Sequence, residues 1–322
     1  MNSTTRISRR ISEEFFSRAG RTVRLLAASI VICFLLPASF PTKARAAEAI
    51  ASKTAVVDGL RLHYLTAGHG PTVILLHGYT QTSRMWRPII PLLAGKFTVI
   101  APDLPGIGDS GIPKDGLDMK DAAIRIHALA KSLQVERARV VGHDIGLMVA
   151  YAYAAMYPSE VEKLVVMDAF LPGVEGWEPY YNNPDLWHFR FHGPTPEALV
   201  AGREKIYFAY FWNDLAADKT RSVPLADRQA YVAAYSRPGR MRAAWAYFAA
   251  WPQTAHDFAE LAKTKLTMPV LSIAGEKASA ATLNAQMKLV ATDVTVVVLE
   301  GTGHWLMEER PKETMEALMN FL

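Results

Sequence analysis

The sequence has a single cysteine among its 322 residues, Cys33, and that residue lies near the beginning of the chain. Residues 34–322 therefore offer no disulfide, no thiol nucleophile and no cysteine-based metal site. The longest apolar run, residues 25–36, is also too short for a membrane span of roughly 20 residues. Internal repeats and low-complexity tracts are absent from the sequence. Because half of the residues are hydrophobic, the composition instead favours one large globular domain.

The net charge of +4 is unevenly distributed along the chain. Residues 1–46 contain eight Lys or Arg residues and only two acids, so this segment carries +6 and the remainder of the chain carries −2. A nearly neutral body provides no electrostatic surface for nucleic acid. We therefore expect a small-molecule substrate and no nucleic-acid partner.

Residues 1–46 have the pattern of an export signal. Basic residues come first, an apolar run ending before Pro37 follows, and Ala44-Arg45-Ala46 fits the small-x-small pattern of a cleavage site. The pattern predicts a mature chain that begins near Ala47, is secreted or periplasmic, and has no stable membrane insertion after cleavage. An uncleaved amphipathic anchor is the alternative. The pair Arg9-Arg10 leaves the choice between the general and the twin-arginine export routes open.

Short apolar runs alternate with helical patterns along the rest of the chain. The predicted strands are residues 60–66, 72–76, 97–101, 138–141, 163–167, 269–275 and 294–299. Such alternation is typical of an α/β fold, with a mostly parallel sheet and helices on both faces. Residues 170–265 contain no evident strand and are rich in aromatic residues at helical spacing. We therefore predict a core formed by residues 47–169 and 266–322, with a helical lid of residues 170–265 over the carboxyl ends of the strands.

The strongest chemical signal is Gly142-His143-Asp144-Ile145-Gly146. It has the spacing of a nucleophile elbow, a strained turn between a strand and a helix that presents its central side chain at the edge of the sheet. The predicted strand before it and the predicted helix after it supply the context that the motif requires. Since the central residue is an aspartate, the motif predicts covalent catalysis through an ester of Asp144.

Hydrolysis of such an ester requires a general base, and His304 is the candidate. It follows the last predicted strand, where the order nucleophile, acid, histidine places the base. The acid that orients His304 is predicted to be Asp168, at the end of the strand next to the elbow strand, with Glu276 as the alternative. The backbone N–H groups of Tyr79 and Ile145 are predicted to form an oxyanion hole.

Over residues 52–322 the sequence resembles α/β-hydrolase epoxide hydrolases. The resembling stretches are residues 97–106, 143–146, 187–189, 201–205, 259–264 and 303–305. The resemblance implies the α/β-hydrolase fold, an epoxide substrate and possible dimers. It also supports Asp168, because relatives place the acid after the same strand, whereas the position that carries it in many other hydrolases is Ala278 here.

In that family two groups of the lid donate hydrogen bonds to the epoxide oxygen. The resemblance assigns one of these roles to His188. Ungapped alignment back from residues 259–262 places Phe248 where the family has a tyrosine, and Tyr247 one residue earlier. Adjacent helical residues point about 100° apart. Either the helix is rotated and Tyr247 donates, or another polar group does, or the substrate is not an epoxide.

Two other functions compete with epoxide hydrolysis. Dehalogenases of this fold use the same nucleophile, and they carry tryptophan or arginine at the position that Ile145 occupies. A secreted binding protein without catalysis is the other reading, and the complete set of Asp144, His304 and Asp168 argues against it. The sequence shows no phosphate-binding loop and no cluster of metal ligands, so we expect no cofactor and no metal.

Overall fold

The computed structural model describes residues 49–322. The predicted export signal at residues 1–46 and the predicted cleavage near Ala47 lie outside the described residues. Among residues 49–322, no helix is both long and apolar enough to cross a membrane.

An eight-stranded sheet forms the centre of the fold. Its strands are β1 (Ala51–Val57), β2 (Leu60–Ala67), β3 (Thr72–Leu76), β4 (Thr98–Pro102), β5 (Ala138–His143), β6 (Val161–Met167), β7 (Val270–Gly275) and β8 (Val294–Leu299). Their order is β1-β2-β4-β3-β5-β6-β7-β8. Strand β2 pairs antiparallel with β1 and β4, and the pairs from β4 to β8 are parallel. The predicted fold class is confirmed, and β1 is a strand that the sequence pattern did not reveal.

Helices cover both faces of the sheet, and further helices lie in the chain between β6 and β7. They are α1 (Ile90–Leu93), α2 (Met119–Ser132), α3 (Ile145–Met156), α4 (Glu178–Tyr181), α5 (Pro194–Val200), α6 (Glu204–Asp214), α7 (Leu225–Tyr235), α8 (Arg240–Ala249), α9 (Trp251–Leu261), α10 (Ala280–Val290), α11 (Leu306–Glu309) and α12 (Pro311–Phe321). The described part of the chain also contains four 3₁₀ segments, which are Ser83–Trp86, Pro158–Glu160, Pro184–Arg190 and Lys219–Arg221.

Alternate residues of each strand enter different hydrophobic cores. In β3, for example, Ile74 and Leu76 pack in the core beneath α2, α3 and α10, whereas Val73 and Leu75 pack in the core that α1 and α12 cover. This division follows from the two-residue period of a strand, whose successive side chains point to opposite faces. Because both of their faces are buried, inner strands such as β3, β4 and β7 are apolar runs rather than alternating ones, whereas β1 and β8 are largely exposed.

The chain between β6 and β7 contains α4 to α9 and no strand. Its helices pack by aromatic contacts, such as Phe208 against Tyr235, with ring centroids 5.0 Å apart, and Phe189 against Trp251, at 4.3 Å. The 3₁₀ segment Pro184–Arg190 has a kink at Leu186, whose φ of −100° and ψ of 38° are not helical. His188 lies in this kinked segment, and its side chain lines a cavity next to the carboxyl ends of the strands.

Candidate active site

The turn at Asp144 connects β5 to α3 and holds the backbone in a strained conformation. Asp144 has φ +54° and ψ −124°. A Cβ atom on Gly142 would lie 2.2 Å from the carbonyl oxygen of Gly146, and a Cβ on Gly146 would lie 2.5 Å from that of Leu76. Only glycine fits at either position. Because the sequence has glycine at both, the backbone can make this sharp turn, which places Asp144 at the carboxyl end of the central strand.

One oxygen of the Asp144 carboxylate accepts a hydrogen bond from the backbone, and the other oxygen faces His304. Its Oδ1 accepts a hydrogen bond from the N–H of Tyr79 at 2.7 Å, and its Oδ2 lies 3.6 Å from Nε2 of His304. The N–H of Ile145 opens α3, where first-turn N–H groups have no carbonyl four residues earlier. The structure therefore places the N–H of Tyr79 on the carboxylate of the predicted nucleophile and the N–H of Ile145 at the start of the helix that follows it.

His304 is held between Asp144 and Asp168. Nδ1 of His304 donates to Oδ2 of Asp168 at 2.7 Å, and the backbone N–H of His304 donates to the carbonyl of Leu215 at 2.9 Å. Burial lowers the pKa of His304, but the hydrogen bond and charge of Asp168, with the charge of Asp144, outweigh burial and raise it above the ordinary value. The imidazole is thus oriented with Nε2 towards Asp144.

Asp168 follows β6 and is almost fully buried. By contrast, the alternative acid Glu276 is exposed and accepts a hydrogen bond from the N–H of Gly301 at 2.8 Å. The geometry therefore favours Asp168 as the residue that orients His304.

A cavity of about 450 Å³ lies between the lid and the carboxyl ends of the strands. Asp144, His304 and His188 line it together with many aromatic side chains, which include Tyr79, Phe170, Tyr180, Phe189, Phe211, Phe248, Trp251 and Trp305. An aromatic wall around a few polar groups keeps water away and strengthens their electrostatic interactions.

His188 is buried in the roof of this cavity. Its ring centroid lies 4.2 Å from that of Phe189 and 4.8 Å from that of Phe211, and its Nδ1 is buried without a partner among the described residues. Burial and the charge of His304 lower the pKa of His188 to about 3. The imidazole is therefore neutral near pH 7, with one N–H available to a ligand.

The structure does not bring Tyr247 to the cavity. Its hydroxyl donates to the carbonyl of Pro105 at 2.9 Å, its side chain is fully buried, and the residue is not part of the cavity wall. Phe248, one position later, lines the cavity instead. The assignment of Tyr247 as a donor to substrate is thus contrary to the geometry, because the lid helix presents Phe248 to the cavity.

The cavity wall also contains polar residues to which the sequence analysis gave no role, and Tyr180, Trp251 and Ser279 are among them. The hydroxyl of Tyr180 donates to the carbonyl of Ala278 at 3.2 Å, and the indole N–H of Trp251 is buried without a partner among the described residues. Ser279 contacts Asp168 directly. Its only signal in the sequence is its place in the loop after β7.

Among residues 49–322, one group of side chains has the spacing of metal ligands. His63, Asp103 and Asp109 each offer an atom within 4.8 Å of the others. However, Nδ1 of His63 and Oδ2 of Asp103 already form a 2.8 Å hydrogen bond, and Asp103 also accepts N–H groups from Ser83 and Asp109. The hydrogen bonds of His63 and Asp103 thus connect β2 to the loop after β4.

The chain matches the family described as alpha/beta hydrolase fold over residues 71–311. It is 32% identical to a soluble epoxide hydrolase from Corynebacterium sp. (strain C12), over 83% of this chain and 95% of the relative. The crystal structure of the Cif epoxide hydrolase from Acinetobacter nosocomialis is 27% identical, with a TM-score of 0.77 over 85% of this chain and 89% of that chain. A fluoroacetate dehalogenase from Burkholderia sp. is 30% identical, over 50% of this chain and 57% of the relative.

The chain belongs to the α/β-hydrolase family, and within it to the group of epoxide hydrolases.

Proposed function

We propose that the protein hydrolyses a small epoxide in two steps, through a covalent ester of Asp144. The observation that carries the proposal is the arrangement around this carboxylate: Tyr79 fixes Oδ1 at 2.7 Å, and Oδ2 faces His304 at 3.6 Å. A carboxylate held in this way presents one oxygen to an electrophilic carbon in a cavity with a largely aromatic wall.

In the first step, an oxygen of Asp144 attacks a carbon of the epoxide ring. The bond between that carbon and the ring oxygen breaks, and the oxygen leaves as an alkoxide that takes a proton from solvent. A hydrogen bond from the neutral imidazole of His188 stabilises the developing negative charge. The product of this step is a hydroxyalkyl ester of Asp144.

In the second step, water cleaves the ester. Nε2 of His304 removes a proton from the water, and the hydroxide attacks the carbonyl carbon of the Asp144 ester. The N–H groups of Tyr79 and Ile145 stabilise the tetrahedral oxyanion. When this intermediate collapses, the bond to the diol oxygen breaks, His304 returns the proton to that oxygen, and a vicinal diol and free Asp144 are released. Asp168 stabilises the imidazolium of His304 through the 2.7 Å hydrogen bond.

A dehalogenase with the same nucleophile is the second candidate. Phe248 in the cavity wall favours it, because the lid then lacks the second donor that an alkoxide leaving group uses. Ile145 argues against this second candidate. Dehalogenases carry tryptophan there to bind the halide, or arginine to bind the substrate carboxylate, and the apolar side chain of Ile145 can do neither.

Turnover of a small substrate panel separates the two functions. We expect the protein to convert styrene oxide and 1,2-epoxyhexane to diols, and to release no halide from fluoroacetate or chloroacetate. Chromatography measures the diols, and an ion-selective electrode measures the released halide. Halide release without diol formation would make the protein a dehalogenase.

Two neighbouring substitutions test how many donors the lid provides. Tyr247→Phe is expected to leave epoxide turnover within a few-fold of wild type but to lower stability by about 1–3 kcal/mol, because the Pro105 carbonyl loses its partner. Phe248→Tyr is expected to raise epoxide turnover, by up to about 10²-fold, because one well-placed donor is worth that much in rate. If Tyr247→Phe abolishes turnover in a folded protein, Tyr247 is the donor after all.

We also propose that the protein is exported and that the mature chain begins near Ala47. The support is the basic start, the short apolar run and Ala44-Arg45-Ala46. Intact-mass measurement of the protein outside the cytoplasm should give a chain that lacks residues 1–46. A full-length species confined to membranes would contradict the proposal. The possible homodimer stays a prediction, which sedimentation of the mature protein would check.

A further inference from the structure

The acid of this site is held by a loop that belongs to another strand. Asp168 follows β6, but the last residue of β7 and the loop after it supply three hydrogen bonds to its Oδ1. They come from the N–H of Gly275 at 3.0 Å, the N–H of Ser279 at 3.3 Å and the hydroxyl of Ser279 at 2.8 Å. The hydroxyl of Ser279 makes the shortest of the three, and it is the only side chain among them.

These bonds determine which oxygen of Asp168 faces the base. With Oδ1 occupied by three donors, Oδ2 is left to accept the N–H of His304 at 2.7 Å. Asp168 also has a positive φ of +43°, so its backbone alone does not favour this conformation. The carboxylate therefore depends on its partners to stay in place.

The loop that carries Ser279 is itself firmly anchored. The N–H of Lys277 donates to the carbonyl of Thr302 at 2.9 Å, and that of Glu276 donates to the carbonyl of Leu299 at 3.0 Å. From the lid, the hydroxyl of Tyr180 donates to the carbonyl of Ala278 at 3.2 Å. Ser279 is thus presented to Asp168 from a fixed backbone, which is what a positioning group requires.

We propose that Ser279 is a positioning residue for ester hydrolysis, whose hydroxyl fixes the Asp168 carboxylate so that Oδ2 orients His304. Ser279 does not touch the reacting atoms and acts only through Asp168. Because His304 is needed as a base only when water attacks the ester, the loss of this hydroxyl should slow the second step and spare the first.

The hydroxyl also influences the proton affinity of His304. A donor on Oδ1 disperses the negative charge of Asp168, and its removal concentrates that charge beside the imidazolium. The pKa of His304, already raised above its ordinary value, should therefore rise further in Ser279→Ala. The other titratable groups that face His304 are Asp144, Glu308, His143 and His188, and all of them are retained in this variant.

The chain offers a matched control in Ser272, a fully buried serine of β7. Its hydroxyl donates to Oδ1 of Asn284 at 2.6 Å, away from the cavity wall. Ser272→Ala and Ser279→Ala each remove one buried hydroxyl with one hydrogen bond. Any loss that reflects only general stability should appear in both variants.

Two measurements test the proposal. NMR titration of the free protein should give a higher pKa for His304 in Ser279→Ala than in wild type or Ser272→Ala. Rapid-quench kinetics with styrene oxide should show the same rate of ester formation in all three proteins and roughly tenfold slower ester hydrolysis in Ser279→Ala alone, the size expected for one hydrogen bond to a charged group.

The kinetic part of this proposal rests on the proposed function, but failure of one can be distinguished from failure of the other. A raised His304 pKa without any covalent adduct in wild type would uphold the action of Ser279 on the Asp168–His304 pair, and it would reject the epoxide mechanism together with the role in ester hydrolysis. If an adduct forms but Ser279→Ala matches Ser272→Ala in both pKa and ester hydrolysis, Ser279 merely begins helix α10 and the positioning role is wrong.

Discussion

Replacement of Asp144 by serine is expected to reduce epoxide turnover by at least about 10⁴-fold, the scale on which loss of a nucleophile acts. A serine hydroxyl is a weaker nucleophile than a carboxylate, and its attack on an epoxide would give an ether rather than an ester. An ether has no carbonyl carbon for water to attack, so even a protein that reacted once would not turn over.

The fold should survive this substitution. Serine is a common central residue of nucleophile elbows, so it tolerates the backbone conformation that Asp144 adopts. The measurement is diol formation alongside thermal unfolding, and we expect lost turnover with a melting temperature close to that of wild type. Unimpaired turnover by Asp144→Ser would remove the covalent aspartyl mechanism from consideration.

The elements that the sequence predicts well are those fixed by local patterns. The inner parallel strands, such as β3 and β7, are short apolar runs because they are buried on both faces, and this is visible without any partner strand. The elbow is visible because two glycines must flank the turn where their Cβ atoms would strike the backbone. Strand β1 escaped prediction because six of its seven residues, all except Val57, are polar, small or exposed at the edge of the sheet.

The side-chain assignments that depend on tertiary packing are less predictable. Whether Tyr247 or Phe248 faces the cavity depends on the rotation of α8 about its axis, which the contact of Tyr247 with Pro105 settles. The same limit applies to Ser279, whose contact with Asp168 joins residues 111 positions apart in the chain. Local pattern carries no information about such a pair.

The charges around His304 change during the reaction that we propose. In the free protein, the negative charge of Asp144 helps to raise the pKa of His304. Formation of the ester neutralises Asp144, so the pKa of His304 falls just when an unprotonated base is needed. Ester hydrolysis should therefore increase with pH through a His304 pKa that is lower in the ester than in the free protein.

Replacement of His304 by glutamine should trap the ester. The first step needs only the carboxylate of Asp144 and a donor to the leaving oxygen, so ester formation should continue. The second step loses its base and should slow by about 10²–10⁴-fold. Glutamine is preferred to alanine because its amide N–H can still donate to the buried carboxylate of Asp168, which would otherwise lose a partner at a cost to stability.

Mass spectrometry of the quenched His304→Gln protein, incubated with styrene oxide, should show the mass of the protein plus one epoxide, located on the peptide that contains Asp144. The double variant Asp144→Ser, His304→Gln is the control and should show no hydrolysable adduct. Because the trapped species is an ester, mild base should release it as the diol. If His304→Gln keeps wild-type turnover and shows no adduct, then His304 is not the base that cleaves an aspartyl ester. Water would in that case have to attack the epoxide carbon directly, with Asp144 acting as a base rather than as a nucleophile.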